Sequence, residues 1–397
     1  MQLRRAALLF ATLLVSACSS ETVTSSSSGG SSGTTTPPCN TDTECSGGTP
    51  LCDTTAKACI ALPPGNEIGY RDGTAASVAF TEIYKTDASA KLTDLAFDPQ
   101  SGNLWVIGYG DNSTHVGNGV MAGNATWKRA VDPAAKHFMH KPPAFAMTAG
   151  GFWGICGDND NSQNGPANLF MGPATFSMDP NIFAKRTAGG LGSHLDMLHN
   201  SPNCKGIAHV DGSKFWVYNG YDNALDLYDF GQPHQPGGDD HSDGKIFRYA
   251  EGKVKPAADG TSSHLFYDAE DSFLYVADTG NARIIKLDTR SGKKGGTLDR
   301  ANEPLVDDGI FDGATLEEVV PRGMLEKPSG LEINGGLLYV TDAATSQFHV
   351  FDKTGKMLRS LSTDLPAGSL SGFTFGPDKK IWFTDRVGGR VLRIDPK

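Results

Sequence analysis

The chain has 397 residues, with 35 Lys and Arg against 45 Asp and Glu, a formal charge of −10 at neutral pH. That acidic balance argues against nucleic acid as a partner, because phosphate binding needs a basic stripe. No nucleophile elbow of the Gly-x-Ser-x-Gly kind, set between a strand and a helix, is present, and no glycine loop that would cradle a phosphate.

The first segment runs from Met1 through Arg4 and Arg5 into an apolar stretch, Ala6 to Val15, too short to span a bilayer as a mature helix. It is the pattern of a signal peptide over residues 1–17. Its end, Val15-Ser16-Ala17-Cys18, resembles the bacterial lipobox. The resemblance implies lipidation of Cys18, a membrane partner reached through the acyl chains, and a place in the cell envelope. Ser19 by the same resemblance points to the outer membrane. Each buried acyl CH₂ contributes about 0.8 kcal/mol, so several chains anchor a protein that has no transmembrane helix. Residues 18–38 are almost entirely Ser, Thr and Gly, a disordered tether whose root-mean-square span is roughly 25 Å.

Seven cysteines become six once Cys18 is assigned to lipid. Cys39, Cys45, Cys52 and Cys59 crowd into residues 39–61, a piece too small to hold its own core, so two disulfides are expected there, with three connectivities open. A zinc knuckle competes with that reading, but no C-x₂-C pair is present. Cys156 and Cys204 remain, far apart in sequence, as a candidate bridge between neighbouring structural repeats.

Residues 62–397 repeat themselves. Leu274-Tyr-Val-Ala-Asp-Thr-Gly-Asn-Ala-Arg-Ile-Ile-Lys-Leu-Asp288 lies over the segments Leu338 to Asp352, Ile381 to Asp395 and Phe215 to Asp229, with a weaker copy opening at Leu104. Each copy has an apolar β-branched and aromatic run, a polar turn and an alternating run, which together describe paired antiparallel strands. A shorter strand precedes each: Asp94–Asp98, Phe145–Thr148, Gly206–Val210, Leu265–Asp268, Gly330–Asn334 and Gly372–Phe375. Six inner strands predict an all-β, six-bladed β-propeller. The last copy ends almost at Lys397, so ring closure is expected to borrow a strand from between Glu67 and Tyr84.

These repeats resemble the NHL family, with blades of the kind found in gluconolactonase-like and peptidyl-amidoglycolate lyase propellers. The gluconolactonase-like resemblance implies metal ligands just before the Gly-Leu or Gly-Ile step of the inner strands, where this chain has Thr93, Lys205, Ser263, Ser329 and Ser371. None is a carboxylate. The lyase resemblance implies histidines at that step, and His264 stands one residue away, so neither active site transfers.

Five of the ten histidines fall between His194 and His241. His194, Asp196 and His199 lead into the inner strand that carries His209, and an insertion from His234 to Asp243 contains Asp240 and His241. Imidazole and carboxylate in this density supply the three or four ligands of a zinc or other divalent transition-metal site. The same residues also make good hydrogen-bonded turns. Gly157 to Gly165, rich in Asp and Asn, is a second candidate, for calcium. Two functions compete: a surface propeller binding a protein, glycan or small-molecule ligand, and a metal-dependent hydrolase or lyase built on His194, Asp196, His199, Asp240, His241 and His209. Convergence at one end of the channel favours the enzyme or metal-binding reading, whereas an insertion on the outer rim counts against it.

Overall fold

The computed structural model describes residues 38–160, 169–232, 234–238, 240–298 and 303–397. The signal peptide, Cys18 and nearly all of the tether lie outside the described residues. The chain divides into two compact units, one ending at Ala61 and one spanning Leu62–Lys397.

In the first unit a small hairpin pairs Leu51–Asp53 with Ala58–Ile60. It is stapled by Cys39–Cys52 and Cys45–Cys59, which settles the connectivity that spacing left open. Closing loops of 13 and 14 residues restricts the unfolded chain by roughly 3 kcal/mol apiece, the stabilisation that a segment without a core needs.

The second unit is a six-bladed propeller of antiparallel four-stranded sheets. From channel to rim, blade one is Leu92–Phe97, Leu104–Gly108, Ser113–Asn118 and Thr126–Ala130. Blade two is Phe145–Met147, Phe152–Ile155, Ala174–Ser177 and His194–Met197. Blade three is Gly206–His209, Lys214–Asn219, Ala224–Asp229 and Lys245–Tyr249. Blade four is Leu265–Asp268, Phe273–Asp278, Arg283–Asp288 and Leu316–Val320. Blade five is Pro328–Asn334, Leu337–Asp342, Gln347–Asp352 and Met357–Ser362.

Blade six is Leu370–Phe375, Ile381–Asp385 and Arg390–Pro396, completed by Val78–Lys85, which pairs antiparallel with the last strand of the chain. The ring therefore closes with a strand from the N-terminal side of the unit, as the missing fourth strand required. One insertion departs from the repeat. The insertion between the third and fourth strands of blade four reaches back to blade three, where Asp307–Asp312 adds in parallel to Lys245–Tyr249 and Lys293–Lys294 adds beyond it.

Apolar side chains form a cluster at each of the six blade interfaces, for example Trp105, Phe145, Trp153 and Phe176 between blades one and two, and Phe348, Phe373 and Phe383 between five and six. Alternation along each strand puts one face against each neighbour, so a blade has no solvent face except at its ends. The Asp that closes the second strand of the repeat is structural. Asp278 accepts from Lys255 N and from Arg283 Nε at 2.7 Å each, and Asp385 accepts from Arg390 Nε at 2.8 Å, so that the carboxylate pins the hairpin turn.

Glycine opens three inner strands because neighbouring backbones nearly touch there. A Cβ on Gly206 would lie 2.0 Å from Ser263 O, and one on Gly330 would lie 2.3 Å from Ser371 O. The channel is narrow and sealed at this end. Thr93 Oγ1 donates to Pro142 O, Ser262 Oγ to Pro143 O and Ser329 Oγ to Ser262 O. All six inner strands begin buried, and five of them end partly exposed. The channel is thus a pit, closed where the inner strands begin and open toward their ends.

Candidate functional site

The outermost strand of blade two and the insertion between the third and fourth strands of blade three meet on the propeller's flank. Asp196, on that strand, is 2 % exposed. Its Oδ1 lies 3.0 Å from His241 Nδ1 and its Oδ2 3.6 Å from His234 Nδ1, while His234 Nε2 lies 3.3 Å from Asp243 Oδ1. Asp196, His234 and Asp243 bring three ligand atoms within 4.8 Å of one another. Asp196 Oδ2 and Asp243 Oδ1 are buried and make no hydrogen bond, an expensive condition unless a cation completes the site. Burial pushes the Asp196 carboxyl above its ordinary value, opposed by the two imidazoles. Two carboxylates with imidazole are a donor set suited to zinc or a similar divalent ion, so a His/Asp metal site is geometrically possible here.

The insertion is held in place by a backbone bond, Gly237 N to His194 O at 2.7 Å, on the free edge of blade two. Glu303, from the blade-four insertion, adds an ion pair to His199 Nδ1 at 2.6 Å, and the His199 and His241 rings lie 5.8 Å apart. His199 therefore borders the cluster. The other sequence candidates lie elsewhere. His194 stacks on Phe138 at 3.7 Å with its Nδ1 on Leu191 O. Asp240 is exposed and caps Ser242 N, and His209 stands at the channel mouth with Nε2 on Gly212 O. His234 and Asp243 bounded the insertion in the sequence without being singled out, and Glu303, 104 residues from His199, left no local signal.

The hydroxyls at the inner-strand step are taken up by the seal of the channel, and Lys205 pairs with Asp158 at 2.6 Å, the two almost fully buried. Asp158 also accepts from Tyr109 Oη at 2.9 Å, so it is already neutralised. Residues 161–165 of the calcium candidate lie outside the described residues. Cys156–Cys204 joins the second strand of blade two to the entry of blade three.

The pit contains three polar residues beside that step, Asp94, His264 and Glu332, of which the sequence marked only His264. Asp94 and His264 stand where blades three, five and six have glycine, with Asp94 Oδ1 3.9 Å from His264 Nδ1, and Glu332 lies two residues past Gly330 on the same face. A departure from glycine at a repeated narrow position was the available signal.

No protein-family model and no curated protein matches the sequence. Among solved structures, an auxiliary nutrient binding protein from Bacteroides ovatus is 15 % identical over 81 % of this chain and 77 % of its own, with a TM-score of 0.50. A streptogramin B lyase is 11 % identical over 81 % and 98 %, at 0.49. A protein described as a putative gluconolactonase is 14 % identical over 81 % and 92 %, at 0.42. Identities this low speak to architecture only, and what the chain is similar to is the six-bladed β-propeller.

Proposed function

We propose that this protein is an extracytoplasmic binding propeller, anchored in the outer membrane through acylated Cys18, whose flank holds a divalent transition metal on Asp196, His234 and Asp243 and presents the adjoining surface to a protein, glycan or small ligand. The observation that supports it is the pair of buried carboxylate oxygens without hydrogen bonds facing one imidazole. A metal there would tie the blade-three insertion to the edge of blade two. A metal-dependent hydrolase or lyase is the weaker reading, because Asp196 belongs to the strand farthest from the channel and the cluster sits at the rim.

The test is metal content by plasma mass spectrometry on the full-length chain, purified without a metal-binding tag. About one zinc-class ion per chain is expected, lost in Asp196→Asn and in His234→Ala. A wild-type protein that stays metal-free after reconstitution with zinc refutes the metal site. Anchoring is read separately: Cys18→Ser should release the protein from the membrane fraction.

A further inference from the structure

The channel pit, about 230 Å³ in volume, is lined by Asp94, Glu332 and His264 at its polar end and by Phe266, Tyr267 and His209 toward its mouth. Several buried carboxylates elsewhere in the propeller are paired with a guanidinium. Asp226 has Arg248, Asp278 has Arg283 and Asp385 has Arg390, but no Lys or Arg lines the pit. Burial holds Asp94 and Glu332 up at about 8, Asp94 pushing Glu332 further, and holds the His264 imidazole down at about 4. The fold therefore desolvates two acids and supplies neither with a counter-charge. His264 is 8 % exposed and its Nε2 is buried with no hydrogen bond. A neutral imidazole keeps a lone pair on one of its two nitrogens, so His264 can accept a hydrogen bond.

We propose that the pit binds a small organic amine, its ammonium group held by Asp94, Glu332 and His264. An ammonium has three N–H donors, and these three side chains offer it three acceptors. Among the described residues, the groups that bring three ligand atoms within 4.8 Å are the flank triad and disulfide cysteines, so the three pit side chains close in on whichever cation they hold, and the calcium arm of the titration below separates an ammonium from a metal ion. The volume falls below the roughly 300–1,000 Å³ of drug-sized sites, which limits the ligand to a few carbons.

Binding must ionise at least one acid that is protonated in the free protein, so the amine displaces a proton. Affinity therefore rises with pH through the range in which Asp94 and Glu332 titrate. The ionisable groups facing them are His264 and, at the mouth, His209 and Tyr267. The inner strands of blades two and six bring none.

The experiment is calorimetric titration of the full chain with n-butylamine and with 1,4-diaminobutane, beside n-butanol and calcium chloride, at pH 6 and pH 8. The amines are expected to bind at least tenfold more tightly at pH 8, with a heat that depends on the buffer's ionisation enthalpy as proton release requires. Glu332→Gln, which keeps the side chain's size and a hydrogen-bonding end, should weaken them tenfold or more with the fold intact, Asp94→Asn should do the same, and Glu251→Gln on the surface should change nothing. No amine binding at millimolar concentration at pH 8 overturns the proposal. So does n-butanol binding as well as n-butylamine, a response to calcium alone, or amine affinity unchanged in Glu332→Gln. The pit and the flank share no residue, so each reading can fail without the other.

Discussion

Replacing Asp226 with alanine removes the acceptor on which blade three and its junction with blade two converge. The carboxylate is fully buried and accepts from Arg248 Nε at 2.9 Å and Nη2 at 3.0 Å, from Ser201 Oγ at 2.7 Å and from Asn219 Nδ2 at 2.8 Å. Breaking a buried ion pair by removing one partner costs about 3–5 kcal/mol, chiefly because the other charge is stranded. Arg248 would keep Asp222 at 2.7 Å and Asn200 O at 2.9 Å, which places the expected loss near the lower end, about 3 kcal/mol. That is a large fraction of the roughly 5–15 kcal/mol that a folded protein has in total. Urea unfolding at pH 7, followed by tryptophan fluorescence, reads the loss directly, since Trp216 sits on the neighbouring strand opposite Leu227. In the double variant with Arg248→Met the two losses should fall short of their sum by more than 1 kcal/mol, on the order seen for coupled contacts. A single-variant loss below 1 kcal/mol, or strict additivity, would refute the view that this pair acts as one unit.

Two further outcomes follow from the narrow end of the channel. Because burial raises Asp94 from 3.8 to about 8, the folded chain retains a proton that the unfolded chain releases. Its contribution to stability is complete below about pH 4 and is lost as pH rises toward 8, with a slope of at most about 1.4 kcal/mol per pH unit. His264, lowered from 6.5 to about 4, works in the opposite sense: its contribution is present above pH 6.5 and is lost as pH falls toward 4. Melting temperature measured from pH 4 to pH 9 should decline less steeply between pH 4 and pH 8 in Asp94→Asn than in the wild type, and parallel curves would contradict the assignment. At Gly206 an added methyl group would lie 2.0 Å from the Ser263 carbonyl, a backbone atom that cannot turn aside. Gly206→Ala should destabilise by about 1–3 kcal/mol, the usual cost of overpacking, and a neutral result in urea unfolding would show that the ring relaxes more freely than its seal implies.

The sequence by itself was enough for the architecture. The repeat around Leu274 to Asp288 contains two strand periods and a turn, and six short strands ahead of such copies left a ring of six blades as the consistent arrangement, down to the borrowed strand that closes it. Local patterning decides this much because every blade meets the same two demands, an alternating face toward each neighbour and a polar hairpin turn. Density of His and Asp also marked the right region for the flank cluster. Which residues meet there was decided only by tertiary structure, because the cluster joins an edge strand of one blade to an insertion in the next. A bulge in the outermost strand of blade two, where Thr175 pairs with Asp196 but its neighbour Phe176 with His194, turned His194 onto Phe138, and the path of the insertion brought in His234 and Asp243. The partner of His199 arrives from blade four, through a parallel strand addition that no short-range pattern announces. The channel pit shows the same limit. Asp94, His264 and Glu332 lie on three different blades and line one pit only because the ring brings blades one, four and five to a common axis, where blades three, five and six have glycine.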